Sequence, residues 1–126
     1  MITISDILYL LCSELEETTP NNPEKIAYRK FLFSAIGHID NKFRVSGNID
    51  IDILTISISV DIIKLRKEIE NLTILVDSKY REILKTKIYS FNATYNQAVI
   101  DLKKSEDYLT FLVSLQHKIL TIKKEY

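Results

Sequence analysis

The stretch IDIDILTISISVDIIKLRKEIENLTILV, residues 49–76, decides the fold because it contains two competing periodicities. From Ile49 to Ile62, apolar residues largely alternate with Asp, Ser and Thr, which is typical of a half-buried strand of β-branched residues. From Ile58 to Val76, apolar residues instead recur at alternating steps of four and three, the heptad pattern of packed helices. This seam consists of Ile58, Ile62, Leu65, Ile69, Leu72 and Val76.

The rest of the sequence favours the helical interpretation of this stretch. A strand needs partners, and only residues 42–45 and 72–76 are even weak candidates, so a two-stranded ribbon would be marginal in water. The chain from Asn48 to Tyr126 also lacks glycine and proline, which permits long uninterrupted helices. The alternative is an α+β fold with a short strand or hairpin at 42–63.

Capping residues and apolar stripes predict two helices before this stretch. The first begins after a cap at Thr3 or Ser5 and ends near Glu17. Residues 18–22 form a loop, and Pro23 then occupies the first position of a second helix that ends near Phe43. A turn is predicted at residues 44–48.

Two irregularities are predicted in the C-terminal half. If the heptad seam continued past Asp77 and Ser78, Lys79 would occupy a core position. A stutter or a helix boundary is therefore expected at Asp77 and Ser78. Residues 92–96 are poor in strong helix formers. A last stripe follows, with polar interruptions at Ser105 and Gln116; its apolar members are Val99, Leu102, Leu109, Leu112, Val113, Ile119 and Leu120.

Together these patterns predict one all-α domain spanning residues 1–126. We expect a bundle of four or five helices with at least one long antiparallel, coiled-coil-like pair.

Composition narrows the possible functions. The formal net charge of zero creates no global attraction to nucleic acid or to anionic membranes. A single cysteine excludes an intramolecular disulfide and a multi-cysteine metal site. Phosphate loops and nucleophile elbows need glycine, which residues 48–126 do not contain. We therefore predict no cofactor, no metal and no catalytic residues, and a cytoplasmic location without a membrane span.

The apolar helix faces predict a non-enzymatic protein–protein interaction module. Such a chain presents one stripe to a protein partner or to a copy of itself, as a small adaptor, chaperone or immunity-type protein would. The heptad seam from Ile58 to Val76 is the candidate partner-binding surface.

A basic cluster supports an alternative function in RNA or single-stranded DNA binding. Lys79, Arg81, Lys85 and Lys87 are interleaved with tyrosines. Lysine and arginine contact phosphates, and tyrosine can stack on bases. A solvated helix face is the simpler interpretation of the same residues.

Arg29 and His38 suggest a less favoured enzymatic alternative. Helical ribonucleases of the HEPN type carry an arginine and a histidine one to two turns apart on a single helix. Here nine residues separate the two, and the residue after Arg29 is Lys30. The comparison covers one helix and departs from the family's spacing.

Overall fold

The computed structural model describes residues 2–18, 23–43, 49–86 and 92–125. Within these ranges the chain forms four helices, and the predicted all-α class is confirmed. They are α1 (Ile4–Glu17), α2 (Pro23–Phe43), α3 (Ile51–Thr86) and α4 (Ala93–Glu125). The predicted turn at 44–48, most of the predicted loop at 18–22, and Lys87 lie outside the described residues.

Helix α1 is capped by Thr3. The Thr3 hydroxyl accepts a hydrogen bond from the Asp6 N–H at 3.2 Å, and the Thr3 N–H donates to the Asp6 carboxylate at 2.9 Å. This reciprocal capping box satisfies backbone donors that the first turn leaves without helical partners. Hydrogen bonding to the Asp6 carboxylate from the Thr3 N–H, and then from the Thr3 side chain, lowers the pKa of Asp6. The predicted start and end of α1 are confirmed.

Helix α3 resolves the ambiguity of residues 49–76. It is one helix of 36 residues, so the alternative of a strand or hairpin at 42–63 is wrong for the described part of that range. Among the described residues, extended pairing is limited to one antiparallel bridge between Thr3 and Asp50 just before the helix. There the Ile4 N–H donates to the Ile49 carbonyl at 2.9 Å.

The predicted helix boundary at Asp77 and Ser78 is wrong, because α3 continues unbroken to Thr86. Burial does not support the alternative of a stutter, because Lys79 rather than Tyr80 is half-buried. Val76, Lys79 and Ile83 are all half-buried and continue the same steps of three and four. Lysine fits such a position because its aliphatic stem can lie along apolar surface while the ammonium group remains in water. The Lys79 ammonium reaches Glu82 at 3.4 Å.

Helix α4 begins at a cap that the sequence analysis treated only as a weak point. The Asn92 side-chain oxygen accepts a hydrogen bond from the Tyr95 N–H at 2.9 Å, which makes Asn92 the N-cap. Ser105 and Gln116 are half-buried along the helix. Three predicted members of the apolar stripe are instead exposed, namely Val99, Val113 and Leu120. The fully or nearly buried positions are Ala98, Leu112, Leu115, Ile119 and Ile122.

The helices contribute to two compact units. The first unit contains Met1–Ile58 and Ser114–Tyr126. Its core joins α1, α2, the beginning of α3 and the end of α4. The fully buried side chains include Ile4, Ile7, Leu11, Leu32, Ala35, Ile39, Leu54, Ile58, Leu115 and Ile119. Burial of each large side chain among them contributes roughly 1.5–3 kcal/mol to the free energy of folding, relative to an exposed position.

The second unit contains Ser59–Val113, and in it α3 and α4 run antiparallel. Ile62 and Leu65 of α3 are buried in this unit, as are Ala98 and Leu112 of α4. Towards the other end of the pair, the rings of Tyr80 and Tyr95 lie 6.3 Å apart. The predicted antiparallel pair of long helices is confirmed.

Candidate functional site

The outer face of α3 carries a row of exposed apolar side chains. Ile53, Ile56, Val60 and Ile63 are 49%, 60%, 42% and 67% exposed. Their steps of three, four and three place them on one side of a helix with 3.6 residues per turn. We call these four residues the outer stripe. It lies on a single helix, so its geometry follows from that helix alone.

The outer stripe explains why the sequence imitates a strand. Leu54, Ile58, Ile62 and Leu65 are buried on the opposite side of the same helix, about 180° away. When two apolar stripes occupy opposite faces of a helix, small polar residues separate them along the sequence. Apolar and polar residues then nearly alternate, as they do in a strand. The apparent period of two therefore results from two helical stripes superimposed on opposite faces of one helix.

Charged residues are distributed unequally along the outer stripe. Asp50 and Asp52 lie at its N-terminal end, and Asp52 forms an ion pair with Lys123. Lys64, Arg66 and Lys67 follow its other end and are exposed, and the exposed Glu68 and Glu70 come directly after them. Acidic residues near a helix N-terminus are favoured by the helix dipole, but basic residues in the middle of a long helix have no such explanation.

The predicted partner-binding seam lies on the inner side of α3. Ile58, Ile62 and Leu65 are buried, while Ile69, Leu72 and Val76 are half-buried. Its first half therefore already belongs to the chain's own core. A partner has access to the outer stripe without any opening of that core, although the heptad pattern in the sequence does not predict this surface.

The described members of the basic cluster do not form one continuous patch. Arg81 and Lys85 are exposed and share a face, whereas Lys79 is half-buried in the inner seam beside Glu82. Arg81 lines a shallow depression together with Asp77, which is acidic. Alternating charges of this kind give a weaker positive field than a nucleic-acid groove requires.

The structure assigns Arg29 a role at the end of α1. Its guanidinium donates to the carbonyl of Leu15 at 2.8 Å and to that of Thr18 at 2.5 Å. These contacts satisfy carbonyl groups that the last turn of α1 leaves without helical partners. A spacing of nine residues turns the helix by about two and a half turns, so Arg29 and His38 lie on opposite sides of α2.

A second polar cluster connects three helices of the first unit. The Lys118 ammonium of α4 lies 2.7 Å from the Glu14 carboxylate of α1. The Tyr28 hydroxyl of α2 donates to the other oxygen of Glu14. Lys118 also lies over the Tyr28 ring, 5.7 Å from its centre. No sequence spacing links these residues, so only tertiary structure reveals the cluster.

The ionisation of this cluster argues for a structural role. Burial opposes the charge on Glu14, but hydrogen bonds from Lys118 and Tyr28 outweigh it and lower the pKa of the carboxyl group. Burial likewise opposes the charge on Lys118, but the bond to Glu14 raises the pKa of the ammonium group. Burial and then Glu14 raise the pKa of Tyr28. A general acid or base needs a pKa near the working pH, and these shifts point away from neutrality.

Comparison with protein-family models, with curated proteins and with solved structures finds no match to this chain. No described helix has an apolar stretch long enough to cross a membrane. Among the described residues, no three His, Cys, Asp or Glu side chains are grouped as a metal site would require.

Proposed function

We propose that this protein is a non-enzymatic protein–protein interaction module that binds its partner through the outer stripe of α3. One observation carries the proposal: four large apolar side chains stand exposed in succession at heptad spacing on one helix. Single exposed apolar residues are ordinary, but a contiguous row on a helix is the arrangement that packs against another helix.

The energy available from this surface is sufficient for binding. Covering a half-exposed isoleucine or valine contributes roughly 1 kcal/mol, half the value for complete burial. Four such side chains give about 4 kcal/mol on one partner, and a matching apolar surface on the other doubles it. The freedom lost on association costs at least about 4 kcal/mol, so a weak affinity is expected.

The experiment compares the wild-type chain with an Ile56→Lys/Ile63→Lys variant as bait for proteins of its host and for itself. A charge at two positions of the outer stripe should abolish retention, while circular dichroism remains that of the wild type because both side chains are exposed. Ile26→Lys, on the exposed side of α2, is the matched control and should retain the same partner. Equal retention by all three chains would contradict the proposal.

A further inference from the structure

We infer that the partner on the outer stripe is a second copy of this chain, with the two α3 helices antiparallel. This inference rests on the proposed function, because it presumes that the outer stripe binds protein. Its basis is the unequal distribution of charge along the stripe, together with heptad geometry.

An antiparallel pair fixes which residues meet. In such a pair, a two-fold axis relates the helices, and each residue i faces a residue j with a constant sum i + j. A sum of 116 places Ile53 opposite Ile63 of the second copy and Ile56 opposite Val60. Each pair of facing residues forms one layer of the contact. All four layers are then apolar, and every exposed member of the outer stripe is covered.

The same register brings opposite charges together at both ends. On the two flanks of the pair the facing residues have sums of 118 and 114 instead. Asp52, which also pairs with Lys123 of its own chain, therefore comes beside Arg66 of the second copy, and Asp50 comes beside Lys64. The two-fold axis repeats each pair. The acidic end of one stripe thus lies against the basic end of the other. Lys67 of the second copy adds to the positive charge at the same end.

A parallel pair also buries the four apolar residues, but its charges are unfavourable. Asp50 and Asp52 would lie beside their own copies, and so would Lys64, Arg66 and Lys67. Like charges across a helix pair disfavour association and help set the orientation of the partners. Exposed ion pairs contribute little to affinity, so here the charges select orientation while the apolar layers supply affinity.

The size of the contact sets the expected strength. Four layers between two helices form a smaller interface than a standard protein complex, and small interfaces are typically weak and transient. We expect a weak dimer with a dissociation constant on the order of millimolar. Partners of this strength exchange quickly, so mixed dimers form on mixing two variants.

The first experiment measures oligomeric state by sedimentation equilibrium over a range of protein concentrations. The wild-type chain should dimerise, and Ile56→Lys should raise the dissociation constant at least tenfold while preserving helicity. Ile74→Lys is the matched control on the same helix: Ile56 and Ile74 are 60% and 61% exposed, but Ile74 lies outside the antiparallel contact. The control should dimerise as the wild type does.

The second experiment measures orientation by cysteine cross-linking in a Cys12→Ser background, since Cys12 is exposed. Chains carrying Ile53→Cys and chains carrying Ile63→Cys should cross-link to each other after mixing and oxidation. Neither variant should cross-link with itself. Self-linking of each single variant would show a parallel pair and overturn the inferred orientation.

The outcomes separate this inference from the function on which it rests. A wild-type chain that is monomeric at every concentration overturns the second copy as occupant. If that monomer retains a host protein and Ile56→Lys does not, the outer stripe still binds protein and only this inference fails. If neither self-association nor stripe-dependent retention occurs, both fail.

Discussion

At the scale of single residues, polar side chains of the first unit hold helices together. Glu14, Tyr28 and Lys118 join α1, α2 and α4, and Arg29 binds the last carbonyls of α1. Each contact combines partial burial with a charged partner, a combination that strengthens a hydrogen bond relative to water. Their effects should therefore appear in stability measurements.

Removal of the Glu14 charge should destabilise the chain in a pH-dependent manner. The pKa of Glu14 is lowered in the folded state from its ordinary value of 4.5. The resulting stabilisation is present above the unfolded pKa and is lost as the pH falls through the folded one. We expect Glu14→Gln to cost about 1–2 kcal/mol at pH 7.

Chemical unfolding at pH 7 and again at a pH below the lowered pKa of Glu14 measures this difference. At the lower pH a protonated Glu14 and a glutamine are nearly equivalent, so the two chains should become equally stable. Glu16→Gln, an exposed acidic residue of the same helix, is the control and should have little effect. A deficit that persists unchanged at low pH contradicts the charge-based explanation.

Arg29 provides a second test at this scale. Arg29→Gln should lower the free energy of unfolding by about 1–2 kcal/mol, because two carbonyls at the end of α1 lose a charged donor. Lys30→Gln, at an exposed position of α2, should change little. Thermal unfolding followed by circular dichroism compares the two. Unaltered stability of Arg29→Gln would remove the capping role and return Arg29 to consideration as a functional residue.

At the scale of elements, the sequence predicts local signals well and opposed faces poorly. Thr3 and Pro23 mark the starts of α1 and α2. These starts are predictable because a helix cap and a proline at the first helical position depend only on residues adjacent in the sequence. The inner seam of α3 follows from its heptad spacing. The outer stripe could not be recognised from one heptad pattern, because its residues alternate along the sequence with those of the seam. Two heptad patterns, one for each face of the helix, are needed to separate the two sets.

The candidate sites show the same limit. A polar cluster made by three helices, such as Glu14 with Tyr28 and Lys118, has no signature along the chain. Val99 and Leu120 are exposed, and this likewise depends on which side of α4 the neighbouring helices occupy. Periodicity identifies an apolar stripe, but only packing decides whether the chain itself covers it.

The unbroken course of α3 leads to a prediction at Lys79. This residue continues the inner seam, half-buried, where apolar side chains normally lie. Lys79→Leu should therefore raise the free energy of unfolding by about 0.5–1 kcal/mol, because the ion pair of Lys79 with Glu82 is partly exposed and contributes little. Lys85→Leu at an exposed position is the control. Denaturant unfolding measures both, and a loss of stability in Lys79→Leu would argue for the slipped register.

At the scale of the whole molecule, the charge distribution bears on nucleic-acid binding. Lys79, Arg81 and Lys85 alternate with Asp77 and Glu82, and the formal net charge is zero. We expect no salt-sensitive retention of RNA or single-stranded DNA in fluorescence anisotropy at low salt. If binding is found, and charge reversal at Arg81 and Lys85 abolishes it, the nucleic-acid alternative replaces the protein-binding proposal.

The protein-binding proposal depends on one surface, and its most direct test observes that surface residue by residue. Methyl NMR of isoleucine-labelled protein, followed over a dilution series and after addition of any retained host protein, reports on Ile53, Ile56 and Ile63 separately from Ile74. We predict that the signals of the first three shift together on association while that of Ile74 remains in place. Unchanged signals for all three at every concentration, with and without added protein, would contradict the assignment of the outer stripe as the binding surface.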